Sequence, residues 1–196
     1  MSDTVRENGV IVAIDGPSGA GKSSLTKLLA RRLGYIHIDT GAMFRAVALM
    51  AKRAGIAADD DAGLAELCRT LEITFVRDGE GCRVLANGED VSREIRTEEI
   101  GLLTSAVSAR KPVRAALLTM QRAMGAKGGV ILEGRDIGTV VFPDAEVKFF
   151  LSASAEERGR RRYLELAARG DSATLEETIA KVIQRDRQDE GREHAP

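Results

Sequence analysis

Gly16-Pro17-Ser18-Gly19-Ala20-Gly21-Lys22-Ser23 is the stretch that decides the fold. A glycine, four residues, a second glycine, then lysine and serine is the spacing of a phosphate-binding loop. Its flanks agree. Val10-Ile11-Val12-Ala13-Ile14, just before it, reads as a strand buried on both faces, as in a parallel sheet. Leu25, Leu28, Leu29 and Leu33, just after it, predict a helix with one apolar face. Strand, glycine loop and helix N-terminus together build an anion site. Gly16, Gly19 and Gly21 let the backbone turn its N–H groups inward, and the helix dipole adds positive potential. Lys22 reaches toward β- and γ-phosphates, and the Ser23 hydroxyl is of the type that ligates Mg²⁺. The plain alternative is a strand–turn–helix that merely needs glycines; the agreement of motif with context argues against it.

The 196 residues make one domain, with room for an insertion. A hydrophobic fraction of 43% supports a sizeable core. The 29 basic and 30 acidic residues leave a net charge of -1, which argues against a general binder of nucleic-acid polymers or membrane surfaces. Cys68 and Cys82 form no CxxC pair, so neither a disulfide framework nor a metal cluster is expected. No run approaches the ~18 apolar residues of a membrane span, and Met1-Ser2-Asp3-Thr4 does not look like a signal peptide. A reducing cytoplasm is the expected location.

Further along, Gly34 suits a helix C-terminus. Tyr35-Ile36-His37-Ile38 reads as a short strand ending at Asp39-Thr40-Gly41. Phe44, Val47, Ala48 and Ala51 mark a second helix, and Leu64, Leu67, Cys68 and Leu71 a third. The texture changes between Glu72 and Val91: two β-like runs and the turn signal Asn87-Gly88 predict a small antiparallel insertion. Helices are expected over 97–109 and from Pro112 to about residue 126. Val130-Ile131-Leu132 and Val147-Lys148-Phe149-Phe150-Leu151 read as further core strands. Ser154 with Glu157 and Thr174 with Glu177 have the spacing of capping boxes that open the last two helices, and Gly170 breaks the first of these. Apolar strands alternating with helices argue for a parallel sheet covered on both faces.

In such a sheet, ligands lie beyond the carboxyl ends of the strands. Asp39-Thr40 with Arg45, then Glu133-Gly134-Arg135-Asp136, then the arginine-rich helix after Leu151 all fall there. Phosphoryl transfer needs alignment and neutralisation of spread charge, which the planar, always charged guanidinium supplies. Arg45 and Arg135 therefore suit an acceptor phosphate, and Arg158, Arg161 and Arg162 a lid over the donor, although any one of the three equally suits a solvated helix face. Glu133 stands where an acid positions Mg²⁺ through water, or where a structural cap would stand; Asp15 leans to structure. His37 and His194 have no nucleophile or metal partner readable in the chain and are expected to be non-catalytic.

Gly16 to Ser24, Asp39-Thr40-Gly41 with Phe44-Arg45, the run Gly134-Arg135-Asp136-Ile137-Gly138-Thr139-Val140-Val141-Phe142-Pro143, the 72–91 insertion, Glu94-Ile95-Arg96-Thr97-Glu98-Glu99, Pro112-Val113-Arg114 and Arg185-Asp186-Arg187 closely resemble bacterial cytidylate kinases. The resemblance covers essentially the whole chain. It implies a P-loop three-layer α/β fold with a parallel sheet, a helical lid and the small antiparallel β insertion, arranged as a single kinase domain. The core is expected at 9–40 and 128–153, an acceptor-binding subdomain at 41–127, the lid at 154–173, and the last helix and a nucleotide-contacting tail at 174–196. ATP and Mg²⁺ are implied, with CMP and dCMP as acceptors and a monomer as the working unit. Gly16, Pro17, Ser18, Gly19, Ala20, Gly21, Lys22, Ser23 and Ser24 would cradle ATP, and Ser23 would hold the metal. Asp39, Thr40, Arg45, Ser105, Arg114, Arg135, Asp136, Arg185, Asp189 and Arg192 would bind the acceptor. Lys22, Arg135, Arg158, Arg161 and Arg162 would act on the transferring group. Thr40 stands where relatives carry Ser, and Ser23-Ser24 where some carry Gly-Thr. The family continues past residue 196 with a fifth strand and a last helix that edge the sheet and help form the adenine pocket. Other readings are a kinase of the same fold acting on another small acceptor, such as shikimate or dephospho-coenzyme A, a non-catalytic GTPase-like switch, and a nonfunctional binding fragment; the Asn-Lys-x-Asp signature of guanine-specific GTPases is absent.

Overall fold

The computed structural model describes residues 6–78, 81–168, 170 and 172–191. Arg192 and His194 lie outside the described residues. The elements run β1 (Ile11–Asp15), α1 (Lys22–Leu33), β2 (Ile36–Asp39), α2 (Thr40–Arg53), α3 (Asp61–Thr70), β3 (Ile73–Asp78), β4 (Gly81–Ala86), β5 (Glu89–Asp90), α4 (Glu98–Ser108), α5 (Lys111–Gly125), β6 (Val130–Gly134), β7 (Val147–Phe150), α6 (Ala155–Ala167) and α7 (Leu175–Glu190). A 3₁₀ turn (Glu94–Arg96) precedes α4, and a π-helical turn (Ile137–Val141) follows β6.

The described residues form a four-stranded sheet in the order β2-β6-β1-β7, parallel throughout. The period-2 alternation of a strand sorts its side chains to two faces. Ile11, Ala13, Val130 and Leu132 enter the large core shared with α2, α5 and the insertion, whereas Val12, Ile14 and Ile131 pack with Ala30 of α1 on the other face. Helices therefore cover both faces, which is the three-layer arrangement expected. α2 buries Ala42, Ala46, Ala48 and Ala51 beside Met43 and Val47, small residues that let a helix approach its neighbours closely. β3, β4 and β5 form the antiparallel insertion. Its second turn places Asn87 at φ 49 and Gly88 at φ 82, the paired left-handed residues that a tight hairpin turn requires. The insertion has no separate core: Ile73, Val84, Ala86 and Val91 belong to the same cluster as Ile11 and Leu132.

β7 is the last strand of the described sheet, beside β1, and its Phe149 and Phe150 are 53% and 72% exposed. Three expectations are corrected. Leu28 and Leu33 of α1 are exposed; the buried face of that helix is Thr26 and Ala30, flanked by Leu25 and Leu29. At α6 only half of the Ser154 capping box forms: Ser154 Oγ accepts from the Glu157 N–H, but the Glu157 carboxylate turns to Arg160 and Arg161. Finally, α7 runs on to Glu190, so Arg185 and Asp189 sit on a helix rather than in a tail.

Candidate active site

The loop between β1 and α1 is held by left-handed glycines: Gly19 at φ 78 and Gly21 at φ 98, with Gly16 at φ 141. A Cβ on Gly16 would lie 2.0 Å from the Leu151 carbonyl oxygen, so the loop meets the end of β7 at a point where no side chain fits. Lys22 opens α1 and turns back over the loop, donating to the Gly16 carbonyl at 2.7 Å and the Pro17 carbonyl at 2.8 Å. Burial, and then the charge of Arg135, pull its pKa down to about 8, against the opposing pull of Glu133, Asp39 and Asp15.

Behind the loop lies a buried polar chain. Ser23 Oγ donates to Glu133 Oε2 at 2.8 Å, and His37 Nε2 donates to Glu133 Oε1 at 2.8 Å. Thr26 donates to the Lys22 carbonyl at 2.9 Å and lies 3.3 Å from the same His37 nitrogen. Burial pushes the Glu133 carboxyl upward, but the hydrogen bond and charge of His37, the Ser23 hydroxyl and the Lys22 charge outweigh it and hold Glu133 below the ordinary carboxylate range. The β2–β6 register, which sets Asp39 beside Glu133, brings these groups together. Asp15 accepts from the Ile137 and Gly138 N–H groups at 2.8 and 2.7 Å. It caps the π-helical turn after β6, a structural role.

Arg135, just past β6, donates to the Gly16 carbonyl and to Asp189 Oδ2, both at 3.0 Å. Its neighbour Asp136 points to the other lobe and accepts from Arg114 Nη2 at 2.6 Å. The Arg114 guanidinium also lies 5.6 Å from the centre of the Phe44 ring, a cation–π contact. Asp39 caps α2 through the Ala42 N–H, and Thr40 Oγ1 donates to the Glu133 carbonyl at 2.7 Å. Arg45 is half-buried on α2, Arg185 is half-buried on α7, and Ser105 is exposed on α4.

Residues 12–196 match the cytidylate kinase family. The chain belongs to the cytidylate kinase family. It is 92% identical over 192 residues to the cytidylate kinase of Geobacter sp. (strain M21), covering 98% of this chain and 82% of that protein. It is 73% identical to the cytidylate kinase of Geobacter sulfurreducens, covering 96% and 81%. It is 49% identical to a bifunctional pantoate ligase/cytidylate kinase of Parasynechococcus marenigrum, covering 95% of this chain and 38% of that longer protein.

Within this cytidylate kinase fold the structure brings Lys22, Ser23, Arg135 and Asp189 around the loop, and pairs Arg114 with Asp136. It places the three arginines expected in a lid differently from one another. Arg158 is 5% exposed and chelates Asp186 through both guanidinium nitrogens at 3.0 and 2.6 Å, while reaching the Ser18 carbonyl at 3.2 Å. Arg161 pairs with Glu157, and its guanidinium lies beside Gly21 of the loop. Arg162 pairs with Glu165 on the exposed side of α6. Sequence reasoning missed Thr26 and Asp186 and set His37 aside. Asp186 had a signal, since it stands three residues before Asp189 on the same helix; His37 had none, because its partner is 96 residues away.

Proposed function

We propose that Arg135 and Asp136 join the two halves of a phosphoryl-transfer site. The enzyme passes the γ-phosphoryl group of ATP to CMP or dCMP, giving ADP and CDP or dCDP. The observation that carries the residue assignment is the divergence of these two adjacent side chains: Arg135 bonds the phosphate loop and Asp136 bonds Arg114. The residues from Gly16 to Ser24 hold the ATP phosphates by backbone N–H groups and Lys22. Lys22 and Arg135, both anchored on the Gly16 carbonyl, share the charge of the transferring group, and Arg161 joins them when α6 closes. The acceptor oxygen is already anionic, so no general base is needed; positioning and charge neutralisation suffice. Thr40, Arg45, Ser105, Arg185 and Asp189 line the acceptor's phosphate, sugar and base.

The residues also fit Mg²⁺. Among the described residues no group of three His, Cys, Asp or Glu side chains forms a metal cage. Mg²⁺ is usually held instead by one or two protein oxygens, substrate phosphates and water. Ser23 would hold the ion directly and Glu133, already bonded to the Ser23 hydroxyl, through water. The ion supplies charge neutralisation on the phosphates when bound. A reducing compartment accords with the free cysteines Cys68 and Cys82. No helix among the described residues is long and apolar enough to cross a membrane.

The test is ADP release across a panel of acceptors with ATP and Mg²⁺. CMP and dCMP are expected to turn over far faster than UMP, AMP, shikimate or dephospho-coenzyme A. Equal turnover on UMP would overturn the cytosine assignment, and preference for a non-nucleotide would overturn the acceptor class.

A further inference from the structure

A cavity of about 110 Å³ opens between α1, the end of β2, α2 and the insertion. Three cations from three elements line it: Lys27 on α1, Arg45 on α2 and Arg96 on the 3₁₀ turn that follows the insertion. Phe75 and Val84 of the insertion supply an apolar wall, and Ser23 of the phosphate loop lies at its margin. Among the described residues the only carboxylate lining it is Asp39, which is already engaged as the cap of α2.

The charge balance is unusual for this protein. Nearby arginines are neutralised: Arg53 by Glu89 and Glu94, Arg69 by Glu66, Arg110 by Asp61 and Arg114 by Asp136. Lys27, Arg45 and Arg96 have no such carboxylate partner among the described residues, although all three line one small space. Uncompensated like charges repel, and a fold keeps them together when an anion is to be bound. One water needs about 10–15 Å³ of such space, so the cavity has room for a tetrahedral anion. A phosphate monoester near −2 charge, gripped from three directions, matches this set of donors.

We propose that Lys27 and Arg96 join Arg45 in binding the phosphate of the acceptor nucleotide, and that the insertion exists to bring Arg96 and its apolar wall to that phosphate. The proposal rests on the CMP-kinase reading above and adds two residues and a role for the insertion. It places the acceptor phosphate beside Ser23, where the donor phosphates end. The cytosine is read elsewhere, by Arg114 and Asp136, so the insertion senses the phosphate and not the base.

The experiment compares CMP with cytidine by titration calorimetry on the intact enzyme, without ATP. Arg96→Ala and Lys27→Ala should each weaken CMP binding about ten-fold or more while leaving cytidine and ATP affinities unchanged. Arg96→Lys should recover part of the loss. In steady state, KM for CMP should rise more than kcat falls. Inorganic phosphate should compete with CMP. Unchanged CMP affinity in both variants would overturn the proposal. So would an equal loss for cytidine, which would mean the insertion had merely lost its packing. A wild-type enzyme that ignored CMP altogether would sink the kinase reading itself, a distinct result.

Discussion

Arg114 Nη2 donates to Asp136 Oδ2 at 2.6 Å, and each side chain is only 15% exposed. The pair presents a donor and an acceptor side by side before any base arrives. Cytosine offers a donor at N4, where uracil offers an acceptor oxygen. In the proposed site the Asp136 carboxylate would attract the first and repel the second, with Arg114 serving the ring's own acceptors. Asp136→Asn removes the charge and half of the acceptor character. It should reduce the preference for CMP over UMP by about 10- to 100-fold, corresponding to the 1–3 kcal/mol of one good base contact. ATP affinity should stay the same. Competing CMP and UMP turnover measures this directly; undiminished discrimination would assign the reading to other groups.

Lys22 carries the pH dependence. Its pKa in the fold is about 8 against an ordinary 10.5, first because of burial and then because of Arg135. A lysine depressed in this way destabilises the fold while it is charged in both states. The penalty, about 3 kcal/mol, is fully present below pH 8, shrinks as pH rises toward 10.5 and is gone above that. Lys22→Met should therefore abolish transfer yet leave the unliganded protein as stable as the wild type or more so at pH 7, as read by denaturant melts. ATP phosphates favour the charged form, so binding near pH 8 should take up about half a proton, and ATP affinity should fall as pH rises through 8. Calorimetry in buffers of different ionisation enthalpy detects that uptake, and zero uptake at pH 8 would refute it.

What was legible in the chain was local. The loop, its strand and its helix announce themselves within Val10–Leu33, because glycine spacing and apolar periodicity are short-range signals. Asn87-Gly88 marked its hairpin for the same reason. The polar chain from Ser23 through Glu133 to His37 was not legible, since its members are 110 and 96 residues apart and meet only through strand order. Arg158 read as a lid cation because four arginines crowd one helix; that it chelates Asp186 depends on how α6 crosses α7.

The Arg158–Asp186 pair ties α6, α7 and the Ser18 carbonyl of the loop together. Removing one partner of a largely buried, bidentate pair strands the other charge, at a cost of about 3 kcal/mol. Asp186→Ala should lower Tm by roughly 6–12 °C for a domain of this size. Arg158→Lys should rescue little, because an ammonium cannot reproduce the two-pronged contact. A shift under about 2 °C would class the pair with exposed ion pairs of little consequence.

Two glycines in helices test the packing account by giving opposite signs for one substitution. Gly159 is buried in α6, and a Cβ there would lie 2.4 Å from Ile179 Cγ1 and 2.9 Å from Ile179 Cα on α7. The second atom is backbone and cannot rotate aside, so α6 and α7 must separate. Gly101 in α4 has nothing within 4 Å of the same position. Alanine gains up to about 1 kcal/mol of helix propensity over glycine at either site. At Gly101 that gain stands alone, so Gly101→Ala should stabilise by up to about 1 kcal/mol. At Gly159 the overpacking cost of about 1–3 kcal/mol outweighs it, so Gly159→Ala should destabilise, and Gly159→Val should do so further. Loosening α6 from α7 also shifts Arg158 away from Asp186, so Gly159→Ala should weaken ATP binding where Gly101→Ala does not. Urea melts of the two variants decide the matter: if both move the midpoint in the same direction, close helix crossing at Gly159 does not control the lid.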